Sequence, residues 1–262
     1  MPKFEKKTRA ILNVFRQFGI DPVLMFRGIG SVARYVGDLR KFKSAALRQG
    51  YVGKIISVSP ALLDFAENAG SADGHYFWQD LYCAQWITTR NPKSHLDIGS
   101  RIDGFVAHLL TGREVTVMDI RNIESNIPNL KFVQADLQSA SSKPGTSYDS
   151  VSSLHSIEHF GLGRYGDPLD IEGHKKGLIN ISKLVNSSGY LYISFPIGAP
   201  AIQFNQQRII HPTWPIEILK DFNLERFILI PWRGSPVLDT RPPDVDITIQ
   251  GQAGLYEFRR IN

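Results

Sequence analysis

The sequence predicts an α/β protein: a mostly parallel sheet of seven strands with helices on both faces, the last strand antiparallel, plus a helical N-terminal extension. Two observations carry this. From residue 94 onward, short apolar runs alternate with segments of helical period, the pattern of strands covered on both faces. Three successive runs also end at an acidic residue, Asp97, Asp119 and Asp136, at the strand ends where open parallel sheets collect their ligands.

The elements follow in order. Ile11, Leu12, Val14, Phe15 and Phe18 recur at helical spacing up to Gly19. Asp21-Pro22 restarts the chain, and Ser31 reads as the N-cap of a basic helix running to about Arg48. Ser59-Pro60 opens a short helix, and Gly70 to Gly74 form a loop. The run His75-Tyr76-Phe77-Trp78 enters a helix that lasts to about Thr89, where Asn91-Pro92 stops it. Strands are expected near 95–99, 114–119, 131–135, 148–153, 189–195, 224–231 and 252–259, and helices near 102–111, 173–186 and 213–221. The final strand follows its predecessor with no helix between them, which suits an antiparallel insertion. The prolines of 231–246 mark an ordered loop. The expected division is a basic helical extension, 1–60, and an α/β domain, 61–262.

Charge is unevenly spread. The chain of 262 residues carries a formal +5, yet residues 1–50 alone hold eleven Lys/Arg against three Asp/Glu, so the remainder is net negative. Such a segment suits an anionic membrane surface, a lipid-linked glycan or nucleic acid, or a solvated helix packed on the domain. The single Cys83 excludes an internal disulfide and a cysteine-rich metal site. No stretch reaches the roughly 20 apolar residues of a membrane span, and no secretory signal precedes the domain. A cytoplasmic protein, possible at the membrane periphery, is the expectation.

The richest motif is Ser94-His95-Leu96-Asp97-Ile98-Gly99-Ser100-Arg101-Ile102-Asp103-Gly104-Phe105: a buried strand, an acidic end, and a glycine-bearing turn opening a helix. Gly99 permits a close ligand approach in the Gly99-Ser100 turn. An acidic strand end welcomes a cationic ligand such as S-adenosylmethionine and repels a pyrophosphate. Asp119 suits two ribose hydroxyls, Asp136 an exocyclic amine, and Ile120 and Leu137 the faces of an adenine. Asp97 suits an ammonium group, directly or through water. Aromatic residues such as Tyr76 suit a sulfonium by cation–π contact, or simple core packing.

These residues resemble those of the Rossmann-like class I S-adenosylmethionine-dependent methyltransferases, over about residues 94–200. The resemblance implies that S-adenosylmethionine is the cofactor. Two departures concern the turn: Arg101 stands where a glycine is usual, and Gly104 falls one place late. A nicotinamide dinucleotide fold is the alternative, but it needs three glycines around a pyrophosphate. The whole-chain pattern also resembles an uncharacterised bacterial methyltransferase-like family associated with surface-polysaccharide synthesis. That resemblance implies a sugar hydroxyl as acceptor.

The fourth strand leads into Leu154-His155-Ser156-Ile157-Glu158-His159. His155 or His159 is the candidate base for O-methylation, with Glu158 orienting it; a purely structural histidine is the bland alternative. The same letters spell an inverted zinc-peptidase motif, which needs a helix and a third ligand, nominally Glu217; no metal is assigned. Arg208 and His211, after the fifth strand, are candidates for binding the acceptor, with His211 also a candidate catalytic residue and a loop-stabilising ion pair the alternative. His95 and His108 read as structural. Residues 161–173 suit an active-site loop. Two other functions stay open: a non-catalytic nucleoside-binding module, and methylation or binding of nucleic acid. The second is disfavoured because the aromatics of residues 1–50 sit at helix-packing positions.

Overall fold

The computed structural model describes residues 12, 14–55, 60–64, 72, 74–124, 126–138 and 146–261. The helix start expected at Ser59 and most of the Gly70–Gly74 loop lie outside them. The chain divides into two compact units, residues 1–71 and 72–262.

In the first unit, α1 runs unbroken over Pro22–Arg48. Asp21 is its N-cap: Oδ1 accepts from the amides of Val23 (2.9 Å) and Leu24 (3.2 Å), and Pro22 occupies the first turn. The expected cap at Ser31 is therefore corrected. Its hydroxyl donates back to the Arg27 carbonyl one turn earlier (3.2 Å), so it sits inside the helix. Among the described residues of the chain, no helix is long and apolar enough to cross a membrane.

The second unit contains α2 (His75–Arg90), β1 (His95–Ile98), α3 (Ala107–Leu110), β2 (Val115–Asp119), β3 (Leu130–Gln134), β4 (Tyr148–Leu154), α4 (Gly173–Ser182), β5 (Val185–Ile197), β6 (Ala201–Gln203), β7 (Gln207–Ile209), α5 (Trp214–Ile218), β8 (Phe222–Pro231) and β9 (Gln252–Arg260). Seven strands form one sheet in the order β3-β2-β1-β4-β5-β9-β8. The first five pair in parallel; β9 lies between β5 and β8 and runs antiparallel to both. The order reverses between β1 and β4, which opens a crevice at their carboxyl ends.

Strand alternation divides the core. Leu191, Ile193, Phe195, Tyr256 and Phe258 face a cluster shared with Leu178 and Ile181 of α4. Tyr192, Leu255, Val115 and Val117 face the other side, against Cys83, Trp86 and Ile87 of α2. Each fully buried aliphatic or aromatic side chain contributes about 1.5–3 kcal/mol, so both faces of the sheet are strongly held.

Several boundaries differ from the sequence expectation. The helix expected at 102–111 begins as a π-turn over Ile102–Val106 before α3. The helix expected to reach 186 ends at Ser182, because β5 is already paired with β4 at Val185. Gln207–Ile209, expected as loop, forms a two-stranded hairpin with Ala201–Gln203.

Candidate active site

The turn after β1 is organised from beneath by Asp97. This carboxylate is fully buried. Its Oδ2 accepts the Ser100 amide (3.1 Å), and its Oδ1 accepts the hydroxyls of Ser100 (2.7 Å) and Ser152 (2.6 Å). Burial raises its pKa to about 6, against the lowering effect of these bonds. Asp97 therefore shapes the turn and does not line the cleft, a correction to its expected contact with an ammonium group. Gly99 adopts φ 68°, and a Cβ there would run into the Ser156 hydroxyl, so the position requires glycine.

Above the turn lies a cleft walled by Gly99, Asp119, Ile120, Asp136, Leu137 and His155. A second cavity adjoins it through Gly99, Arg121, His155, His159 and Tyr165, and extends to Tyr76, Asp80, Ser100 and Arg101. The structure thus brings Tyr76, Gly99, Ser100, Asp119, Ile120, Asp136, Leu137, His155 and His159 to one continuous crevice. Gly104 is not among them. A Cβ there would come within 2.7 Å of Asp80 Oδ2, so this glycine seats α2 against the turn instead of touching a ligand.

Asp80 is the residue the sequence reading missed. It is buried, it lines the second cavity, and burial raises its pKa to about 6. It supplies to the crevice the acidic group expected of Asp97. The helical pattern of His75 to Gln79 gave no reason to single it out, since an aspartate one turn into a helix is ordinary.

Asp119 sits at the expected strand end but is occupied. Its carboxylate accepts the Arg121 amide (2.8 Å), Nε (3.0 Å) and Nη2 (2.7 Å). The Arg121 guanidinium also lies 4.3 Å from the centre of the Tyr165 ring. Tyr165 belongs to the loop 161–173, which is tied together by Asp167: its carboxylate accepts the amides of Gly161, Gly163 and Tyr165.

Beyond β4, His155 takes a left-handed backbone, φ 51°. That region is sparsely populated by residues other than glycine, with asparagine, aspartate and histidine its commonest exceptions, and such backbone positions cluster at functional sites. Glu158 is fully buried, and its Oε1 lies 2.8 Å from His155 Nδ1 and 3.8 Å from His159 Nε2. A carboxylate accepts only, so Nδ1–H of His155 donates to it and Nε2 carries the lone pair in the neutral ring. His155 Nε2 and Glu158 Oε2 are both buried without a hydrogen-bond partner. His75 stacks on the His155 ring at 5.6 Å and 5°, Tyr76 packs at 4.8 Å, and His75 Nε2 is 3.1 Å from the Gly251 carbonyl. Burial, with His155 beside it, pushes His75 down to about 4, so this ring is neutral at pH 7. His159 differs: its Nδ1 lies 2.7 Å from the Gln206 carbonyl, and burial lowers its pKa.

Arg208 and His211 are corrected as acceptor contacts. The Arg208 guanidinium is buried and donates to the carbonyls of Glu158, Phe160, Asp170 and Ile171. It braces the loop from behind and lines neither cavity. His211 Nδ1 bonds the Thr213 hydroxyl (2.8 Å) and also stands outside both linings. Glu217 accepts from Thr213 (2.9 Å), and the His155–His159 segment is a strand end and one 3-10 turn, unlike the helix of a zinc-peptidase motif. Among the described residues, no cluster of three or more His, Cys, Asp or Glu is placed to hold a metal.

Comparison with known proteins bears on the fold. The family model for a Caenorhabditis protein of unknown function, DUF268, matches residues 107–222. No curated protein matches the sequence. Among solved structures, the 1,6-didemethyltoxoflavin-N1-methyltransferase of Burkholderia thailandensis, with S-adenosylhomocysteine bound, superposes with a TM-score of 0.51 at 14% identity, covering 88% of this chain and 90% of that one. The fold is that of the class I methyltransferases. The N-methyltransferase NodS of Bradyrhizobium japonicum, in complex with S-adenosylhomocysteine, is similar at a TM-score of 0.49 and 11% identity over 72% of this chain and 90% of that one. An S-adenosylmethionine-dependent methyltransferase of Clostridium acetobutylicum gives 0.49 and 10% over 73% and 94%.

Proposed function

We propose that this chain is an S-adenosylmethionine-dependent methyltransferase that methylates a hydroxyl group of a small acceptor, a sugar being the class favoured. The observation that carries the reading is the His155–Glu158 pair beside a crevice of class I methyltransferase form. Ile120, Leu137, Asp136, Asp119 and Gly99 line one cleft, which supports an adenine between the two aliphatic side chains, its amine toward Asp136, the ribose hydroxyls toward Asp119 and the chain beyond passing Gly99. Asp80 provides negative charge for an ammonium or sulfonium centre, and Tyr76 an aromatic face. When bound, S-adenosylmethionine supplies a methyl group on a sulfonium, an electrophile that needs no further activation.

The protein's part is positioning and proton transfer. Glu158 fixes the tautomer of His155 so that the Nε2 lone pair faces a hydroxyl proton. As the O–H bond breaks, Nε2 takes the proton, and the buried carboxylate stabilises the imidazolium that forms. The His75 ring keeps His155 oriented by stacking, and its depressed pKa keeps it from adding a competing positive charge. A sugar is favoured because Tyr76 and Tyr165 present rings beside the polar groups of Gln79, Arg101 and Arg164 in the same cavity, and because the sequence resembles a polysaccharide-associated family.

The test is calorimetric titration with S-adenosylhomocysteine, followed by transfer of labelled methyl to a panel of glycan acceptors. His155→Asn, which keeps a side chain tolerant of the left-handed backbone, is expected to lower turnover about 10²–10⁴-fold with affinity for S-adenosylhomocysteine within a few-fold of wild type. Unchanged turnover in this variant rejects the proposed base.

A further inference from the structure

We infer that α1 is a membrane-docking helix that lies in the plane of an anionic phospholipid bilayer. This rests on the first unit alone and does not depend on the proposed methyl transfer. Along α1, Met25, Ile29, Val32 and Val36 recur at intervals of four, three and four residues and form one stripe. Phe26, Ala33 and Leu39 widen it, whereas Arg27, Ser31, Arg34, Asp38 and Lys41 occupy the opposite side.

Within the first unit, α1 contains no buried residue. Met25 is 57% exposed, Phe26 78% and Ile29 66%, with Phe42 and Leu47 exposed near the C-terminus. Isolated apolar side chains on a surface are ordinary; a continuous stripe over several turns calls for a covering medium. Charge decides which one. Six of the 27 residues are Lys or Arg and one is Asp, so the cover is anionic as well as apolar at depth. Lys43 falls in line with the stripe, five turns after Met25, and Arg40 lies beside it, an arrangement in which the apolar side chains enter the acyl boundary while the long cationic stems reach back to phosphates. Nucleic acid offers the anions without a place for Met25, Ile29 and Val32, and a soluble protein partner offers the reverse. An anionic lipid surface meets both demands. The helix that the sequence suggested was broken at Ser31 is continuous, so stripe and cations belong to one rigid element.

The experiment uses the full chain in flotation with vesicles of phosphatidylcholine alone or mixed with phosphatidylglycerol. The expected result is binding to the mixed vesicles at least tenfold tighter than to the neutral ones, weakening with salt. The double substitution Phe26→Glu with Ile29→Glu, and separately Arg40→Glu with Lys43→Glu, are each expected to weaken it at least tenfold while circular dichroism and thermal unfolding stay unchanged. Equal binding to both vesicles, or none, overturns the proposal. So does concentration-dependent dimerisation abolished by Phe26→Glu with Ile29→Glu, which assigns the stripe to a second copy, or RNA binding that survives that substitution in the absence of vesicle binding.

Discussion

Asp97 and Arg208 are both charged, both fully enclosed, and both read from sequence as ligand contacts. In each case the surrounding polar groups consume the charge. Serines at 100 and 152 fill the Asp97 oxygens, and backbone carbonyls from four residues surround Arg208. A residue letter shows that a charge is available, but the partner is set by tertiary contacts many positions away, so this part of the site was not legible. Arg208→Met is accordingly expected to lower stability by about 2–4 kcal/mol, because buried carbonyls lose their donor, as read by denaturant unfolding. The strand-end acids Asp119 and Asp136, with Ile120 and Leu137 beside them, were legible because strand period and chain order place them with little help from distant residues.

At the scale of elements, boundaries were lost where pairing overrode local preference. The α4 helix stops at Ser182 because the next residues are claimed by β5, and the β6–β7 hairpin is too short to show alternation. The antiparallel β9 was legible because the proline-bearing stretch before it holds no helical pattern that could carry a parallel crossover. What holds it centrally was not. Glu257 of β9 is fully buried, accepts from Arg90 of α2 at 3.0 Å, lies 3.0 Å from Nε of Arg226 in β8, and takes the Tyr192 hydroxyl of β5 at 3.3 Å. One carboxylate thus ties three neighbouring strands to the covering helix. Removing one member of a buried pair strands the others without compensation. Glu257→Ala is expected to cost about 3–5 kcal/mol, visible as a fall in the thermal midpoint, with β8 and α2 losing amide-exchange protection first.

For the molecule as a whole, fold class and the antiparallel setting of the last strand followed from alternation and from the connections, which explains why the sheet was legible while its π-turn and hairpin were not. Proton binding gives the whole-chain prediction. Burial depresses the imidazoles of His95 to about 3 and of His75 and His174 to about 4, and lowers His159. Their contribution to stability is present above about 6.5 and is lost as pH falls toward 4. Asp80 and Asp97 act oppositely: raised to about 6, they favour the folded state below about 3.8 and lose that contribution as pH rises through 6. Four imidazoles outweigh two carboxylates, so the unfolded chain binds more protons between pH 5 and 6.5. The thermal midpoint is expected to drop from pH 7 to pH 5, and His95→Asn to flatten that slope.

The clasp of Arg121 across Asp119 under the Tyr165 ring sets the order of events at the crevice. On the proposed reading, a nucleoside diol meets a carboxylate already engaged by its neighbour, so it must share or displace the guanidinium to be held there. The same salt link that shapes the crevice then competes with its occupant. The bolt on the door is made of the chain's own side chains.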